Sequence, residues 1–130
     1  MPAAQAGDRP VRILIVEDDF LVALQAESAL IEAGFEIAGI ASKAEEALEL
    51  AASQNPTLVL MDIRLAGKRD GVDAALDLFR THGLRSIFAT AHSDREAQNR
   101  AEAASPLGWL QKPYTMASLL ELVRNAAAHL

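Results

Sequence analysis

The sequence predicts an α/β protein of the doubly wound (βα)5 type, a three-layer sandwich built on a five-stranded parallel sheet. Apolar runs of strand length, rich in β-branched residues, recur at 11–16, 36–41, 57–61 and 86–90, with a weaker fifth at 107–111 around Trp109 and Leu110. Segments of helical period separate them, and strict alternation of strand and helix implies parallel strands joined by right-handed crossovers with helices on both faces. The runs are also apolar almost throughout, as strands covered on both faces are.

In chain order, residues 1–10 carry no apolar segment of a secretory signal and read as a short disordered arm ahead of a single domain over 11–130. The first strand runs into Glu17-Asp18-Asp19. Val22, Ala26, Ala29, Leu30 and Ala33 then repeat at helical spacing, and Gly34 marks the stop. After the strand at 36–41, Ser42-Lys43-Ala44-Glu45 fits a capping box ahead of Ala44, Ala47, Leu48 and Ala51. The third strand meets Asp62 at its end. Asp70-Gly71 supplies a turn before Val72, Ala75, Leu76 and Phe79, and Gly83 closes that helix. The fourth strand delivers Thr90 and Ala91. Ser93-Asp94-Arg95-Glu96 fits a second capping box, and the following segment, 94–104, has the poorest apolar face in the chain. The fifth strand delivers Lys112 and Pro113, and Met116, Leu119, Leu120 and Val123 form the last helix.

Composition narrows the function. At 130 residues and 51% apolar content the chain can bury one real core. A net charge of −6, with 12 basic residues scattered, disfavours nucleic acid as a partner. The absence of cysteine excludes disulfides, thiolate catalysis and cysteine-based zinc sites. No stretch approaches the roughly 18 apolar residues of a membrane span, so a cytoplasmic protein without membrane contact is expected.

In a doubly wound sheet, function gathers outside the carboxyl ends of the strands. There the sequence delivers acids (Glu17, Asp18, Asp19, Asp62), a hydroxyl (Thr90) and an amine (Lys112). Neighbouring carboxylates repel one another, and a hard divalent cation that prefers oxygen ligands holds them ionised; magnesium fits best. The histidines, His82, His92 and His129, are dispersed, which weakens a transition-metal reading. Beside magnesium, Asp62 is a candidate nucleophile toward a phosphoryl group. Lys112, the Thr90 hydroxyl and the Ala91 backbone N–H are candidates to stabilise its oxygens, with a small residue at 91 leaving room for the phosphate.

Over residues 11–129 the chain resembles the receiver domain of two-component response regulators. The resemblance is carried by Ile-Leu-Ile-Val-Glu-Asp-Asp (13–19), Leu-Met-Asp-Ile-Arg-Leu (60–65), Asp-Gly (70–71), Phe-Ala-Thr-Ala (88–91) and Lys-Pro (112–113), each at its proper strand end. It implies a flavodoxin-like fold and a phosphoacceptor signalling protein, not an enzyme, that assists its own phosphorylation and dephosphorylation. Asp62 would take its phosphoryl group from a sensor histidine kinase or a histidine phosphotransfer protein. Asp18 and Asp62 would ligate Mg2+, with Mn2+ as a substitute, Glu17 would act mostly through water, and Arg64 would add its backbone carbonyl. Thr90 and Trp109 match the switch pair, Arg64 and His92 the positions that tune phosphoryl lifetime, and Pro113 a proline that follows a cis bond.

Three departures accompany the resemblance. Trp109 stands where tyrosine or phenylalanine is usual, Ala66 replaces a common proline, and the Asp62-to-Gly71 spacing is one residue longer than usual. Only one helix fits after the fifth strand, so a receiver alone is expected, acting by contact with an unknown downstream protein or as a phosphate sink, with homodimerisation through 94–128 as one mode of association. Two other readings compete: a phosphorylation-independent adaptor or kinase inhibitor, and a small metal-dependent phosphatase, for which Asp19 and His92 offer no specific motif.

Overall fold

Alternation of side chains along each strand explains both why the strands read as continuous apolar runs and where the helices sit. The computed structural model describes residues 10–65, 67–91 and 94–130. Apart from Pro10, the arm expected over 1–10 lies outside them, as do Ala66, His92 and Ser93. Five strands, β1 (Arg12–Val16), β2 (Glu36–Ala41), β3 (Leu58–Asp62), β4 (Ser86–Thr90) and β5 (Gly108–Gln111), alternate with helices α1 (Phe20–Glu32), α2 (Ala44–Gln54), α3 (Gly71–His82), α4 (Arg95–Ala101) and α5 (Met116–Ala127). A 3₁₀ turn, Glu102–Ala104, continues α4.

All strand pairs are parallel, in the order β2-β1-β3-β4-β5. Ile13, Ile15, Leu58, Leu60, Ile87 and Leu110 pack on one face against Ala23, Ala26 and Leu30 of α1 and Leu119, Val123 and Ala126 of α5. Leu14, Val16, Val59, Met61 and Phe88 fill the opposite face under the small residues of α2, α3 and α4. This is the flavodoxin-like doubly wound fold that the sequence predicts. From β1 the chain moves outward to β2 and then returns to β3 on the other side of β1, so the switch point lies between β1 and β3.

The expected elements agree with the observed ones to within a residue or two, while their caps differ in detail. In the segment read as a capping box, Lys43 is the N-cap of α2 and makes no side-chain cap bond. Glu46, not Glu45, reaches back and accepts from the Ser42 backbone N–H at 3.3 Å and its hydroxyl at 2.7 Å. At α4 the cap is Asp94, whose carboxylate accepts from the Ala97 N–H at 3.1 Å; Asp94 competes well for that role because its acceptor is ionised. Asp70 is the N-cap of α3 rather than part of a free turn. Helix α2 ends on Asn55 in the left-handed region, φ 51°, with no glycine to announce it.

Candidate functional site

The strand order that sets the switch point also gathers the acids. Val16 pairs with Met61, so the residues that follow them, Glu17 and Asp62, emerge side by side from adjacent strands. Strand alternation puts Glu17 in line with Ile13 and Ile15, Asp62 with Leu58 and Leu60, and Lys112 with Leu110, all toward the α1/α5 face. Lys112 extends the β4–β5 ladder, its N–H donating to the Thr90 carbonyl at 2.7 Å, and the Lys112–Pro113 peptide bond is cis. A cleft of about 230 Å3 opens over these strand ends, lined by Glu17, Asp18, Asp19, Asp62, Ile63, Arg64, Thr90, Ala91 and Lys112.

Glu17 and Asp62 are each 5% exposed, and every one of their carboxylate oxygens accepts a hydrogen bond. The Lys112 ammonium donates to Glu17 Oε1 at 2.7 Å and to Asp62 Oδ2 at 3.1 Å. Glu17 Oε2 accepts from the Asp19 N–H at 3.0 Å, and Asp62 Oδ1 from the Arg64 N–H at 3.1 Å. Burial raises the Glu17 carboxyl above its ordinary value, and its contact with Asp62 adds to that, outweighing Lys112. For Lys112 burial works the other way, yet the hydrogen bonds and charges of Glu17 and Asp62 prevail and raise it, so the ammonium persists at neutral pH. Tyr114, two residues on, is also raised, by burial and by the negative charge of Glu17.

Asp18 is exposed at the mouth of the cleft, and carboxylate oxygens of Glu17, Asp18 and Asp62 lie within 4.8 Å of one another. Three carboxylates and one ammonium leave two uncompensated negative charges, the charge of one divalent cation. The donors are all hard oxygens, so the site fits a hard metal ion. Asp19, which the sequence grouped with these acids, serves the helix instead. Its Oδ1 caps α1, accepting from the N–H groups of Leu21 and Val22 at 3.1 and 3.3 Å.

Thr90 is half-buried at the end of β4, and Ala91 is exposed beside it. Trp109 does not line the cleft. It pairs with Phe88 across β4–β5 and stacks on it, with ring centroids 4.8 Å apart and planes 22° from parallel. Because Phe88 and Thr90 are two residues apart on one strand, Thr90 and Trp109 belong to the same side of the sheet. Arg64 is exposed at the rim; His92 lies outside the described residues.

One contact has no sequence signal. The Gly71 N–H donates to the Ile63 carbonyl at 2.6 Å, and a Cβ added to Gly71 would stand 1.9 Å from the Asp62 carbonyl oxygen. The first turn of α3 is therefore wedged against the backbone of Asp62. Asp-Gly reads in sequence only as a turn.

Comparison with known proteins agrees with this geometry. The response regulator receiver domain model matches residues 13–124. The transcriptional regulatory protein PdtaR of Mycobacterium tuberculosis is 35% identical over 119 residues, covering 92% of this chain and 58% of its own length. The phyllosphere-induced regulator PhyR of Methylorubrum extorquens is 34% identical over 122 residues, covering 93% and 45%. The chain thus spans about half the length of these curated relatives. Among solved structures, the signal receiver domain of a modulated diguanylate cyclase from Desulfovibrio desulfuricans superposes with a TM-score of 0.84 at 33% identity, covering 93% of this chain and 96% of that one. With its acidic cluster at the switch point of a doubly wound sheet and a family match over most of its length, the chain belongs to the response regulator receiver domain family.

Proposed function

We propose that the protein is a phosphorylation-driven switch in which Asp62 accepts a phosphoryl group from a phosphohistidine, in a reaction that depends on Mg2+. Receiver domains are signalling domains that work with histidine kinases or phosphotransfer proteins, so the donor class follows from the family. The observation that carries the reading is the pairing of a buried Asp62 carboxylate with Lys112 at the floor of a cleft that Asp18, Thr90 and Ala91 also line.

In the reaction, an Asp62 carboxylate oxygen attacks phosphorus as the P–N bond of the donor breaks. The imidazole nitrogen leaves with the electron pair, and an acyl phosphate remains on Asp62. Lys112 holds the carboxylate before transfer and follows the charge onto the phosphoryl oxygens afterwards, which relieves the pairing it makes with Glu17. The Thr90 hydroxyl and the Ala91 backbone N–H donate to the other oxygens, and the methyl side chain at 91 leaves room for them. Glu17, Asp18 and Asp62, with the Arg64 carbonyl, would hold Mg2+, which when bound supplies charge neutralisation for the transferring group. The Arg64 side chain at the rim and His92 set how readily water reaches the acyl phosphate. The switch runs from Thr90 to Trp109, on the side of the sheet they share, and its output is contact with another protein.

The test is the intact mass after incubation with acetyl phosphate and magnesium. A gain of one phosphoryl group in wild type, absent in Asp62→Asn and without metal, is expected. Equal labelling of wild type and Asp62→Asn would overturn the assignment.

A further inference from the structure

Helix α4 buries only two side chains, Ala97 and Ala101, and so has little apolar area to hold it on the sheet. Arg100 supplies another hold. Its Nη1 lies 3.0 Å from Asp70 Oδ2 and its Nη2 lies 2.8 Å from Asp73 Oδ1, so one planar guanidinium bridges two carboxylates. Both belong to the start of α3: Asp70 is its N-cap and accepts from the Asp73 N–H at 2.9 Å. The next residue, Gly71, donates its N–H to the Ile63 carbonyl at 2.6 Å and abuts the Asp62 carbonyl oxygen. A continuous set of contacts therefore runs from the backbone of Asp62 through Gly71 and Asp70 to Arg100.

We propose that Arg100 is the positioning residue that couples α4 to the loop behind Asp62, so that α4 and residues 63–65 and 70–73 open and close as one unit; its signalling consequence rests on the reading of Asp62 as phosphoacceptor. The side chains involved are 36–41% exposed. An exposed pair of this kind shifts an opening equilibrium by about fivefold, a strength that a reversible switch can overcome. A change of backbone position at Asp62 would then be felt in α4 through Arg100.

Native-state amide exchange on the full chain tests this with Arg100→Ala and Arg100→Lys. In Arg100→Ala the amide of Gln98 in α4 and those of Arg64, Gly71 and Asp73 are expected to exchange about fivefold faster together, with β1 and α5 unchanged. Arg100→Lys, which offers one point charge in place of a fork, is expected to fall between. Acceleration confined to α4, or no acceleration, would overturn the coupling. A second arm adds beryllofluoride and magnesium, with binding read by 19F NMR. Wild type is expected to slow in both segments, and Arg100→Ala only in the loop; slowing of both segments in Arg100→Ala would also overturn it. If wild type binds no beryllofluoride, the phosphoacceptor reading fails, and the coupling is still decided by the first arm.

Discussion

Gly71→Ala should destabilise the protein by about 2 kcal/mol and disturb Asp62, although alanine is the better helix former. The position has an ordinary backbone conformation, so the effect is steric. The new Cβ would lie 1.9 Å from the Asp62 carbonyl oxygen and 2.8 Å from both the Asp62 carbonyl carbon and the Ile63 Cα. All three are backbone atoms, so no rotamer change relieves the clash, and either α3 or the end of β3 must move by more than an ångström. Overpacking of that kind costs about 1–3 kcal/mol or more, against a gain of about 1 kcal/mol for alanine over glycine in a helix. Taking the upper part of the first range leaves about 2 kcal/mol net. Urea unfolding measures it. The control is Gly83→Ala, at φ 69° with nothing within 4 Å of the added Cβ, where only the left-handed backbone costs, about 1 kcal/mol. The two variants also differ in chemistry, because only Gly71→Ala should slow phosphoryl transfer to Asp62. Stability of Gly71→Ala within about 0.5 kcal/mol of wild type, with an unchanged transfer rate, would refute the argument.

Four further substitutions have defined outcomes. Lys112→Met leaves Glu17 and Asp62 buried without their cation and should cost about 2–3 kcal/mol in urea unfolding with chelator present, part of it recovered by magnesium. Asp18→Asn should weaken magnesium binding in a calorimetric titration while stability in chelator is kept. Asp19→Ala should do the opposite, losing the α1 cap at about 1 kcal/mol while magnesium binding persists. Burial acts to raise the Asp70 carboxyl, but its hydrogen bonds to Arg100 and to the Asp73 N–H prevail and depress it. A depressed acid contributes stability that is present above its unfolded value of about 3.9 and is lost as pH falls through the folded value. Urea midpoints below about pH 4 should therefore fall less steeply in Asp70→Asn than in wild type.

Most of the fold was legible because its signals are local and agree with one another. The β-branched runs of β1 and β3 and the small apolar residues of α2 and α3 fix element type, and strict alternation fixes parallel pairing. The acids were legible because an ionisable side chain ending a buried strand has few structural explanations. What the sequence could not resolve was the division of labour inside the acidic run. Asp18 and Asp19 are chemically alike, and only the path of the chain into α1 turns one into a cap and leaves the other at the cleft. The capping boxes misled by one residue, because Ser42 and Ser93 each precede a position with a competing option, Glu46 reaching back in one case and Asp94 in the other. The close approach of Gly71 to Asp62 and the bridge from Arg100 to Asp70 and Asp73 join residues from different elements, and no local pattern encodes them.

The proposed switch depends on Asp62 carrying the phosphoryl group. Borohydride reduction of the protein after reaction with acetyl phosphate and magnesium, followed by peptide mapping, reads this directly, because an aspartyl phosphate is converted to homoserine. Homoserine at position 62 alone, lost when magnesium is chelated, is the predicted result. Homoserine at Asp18 or Asp19 with position 62 intact would contradict the proposed mechanism.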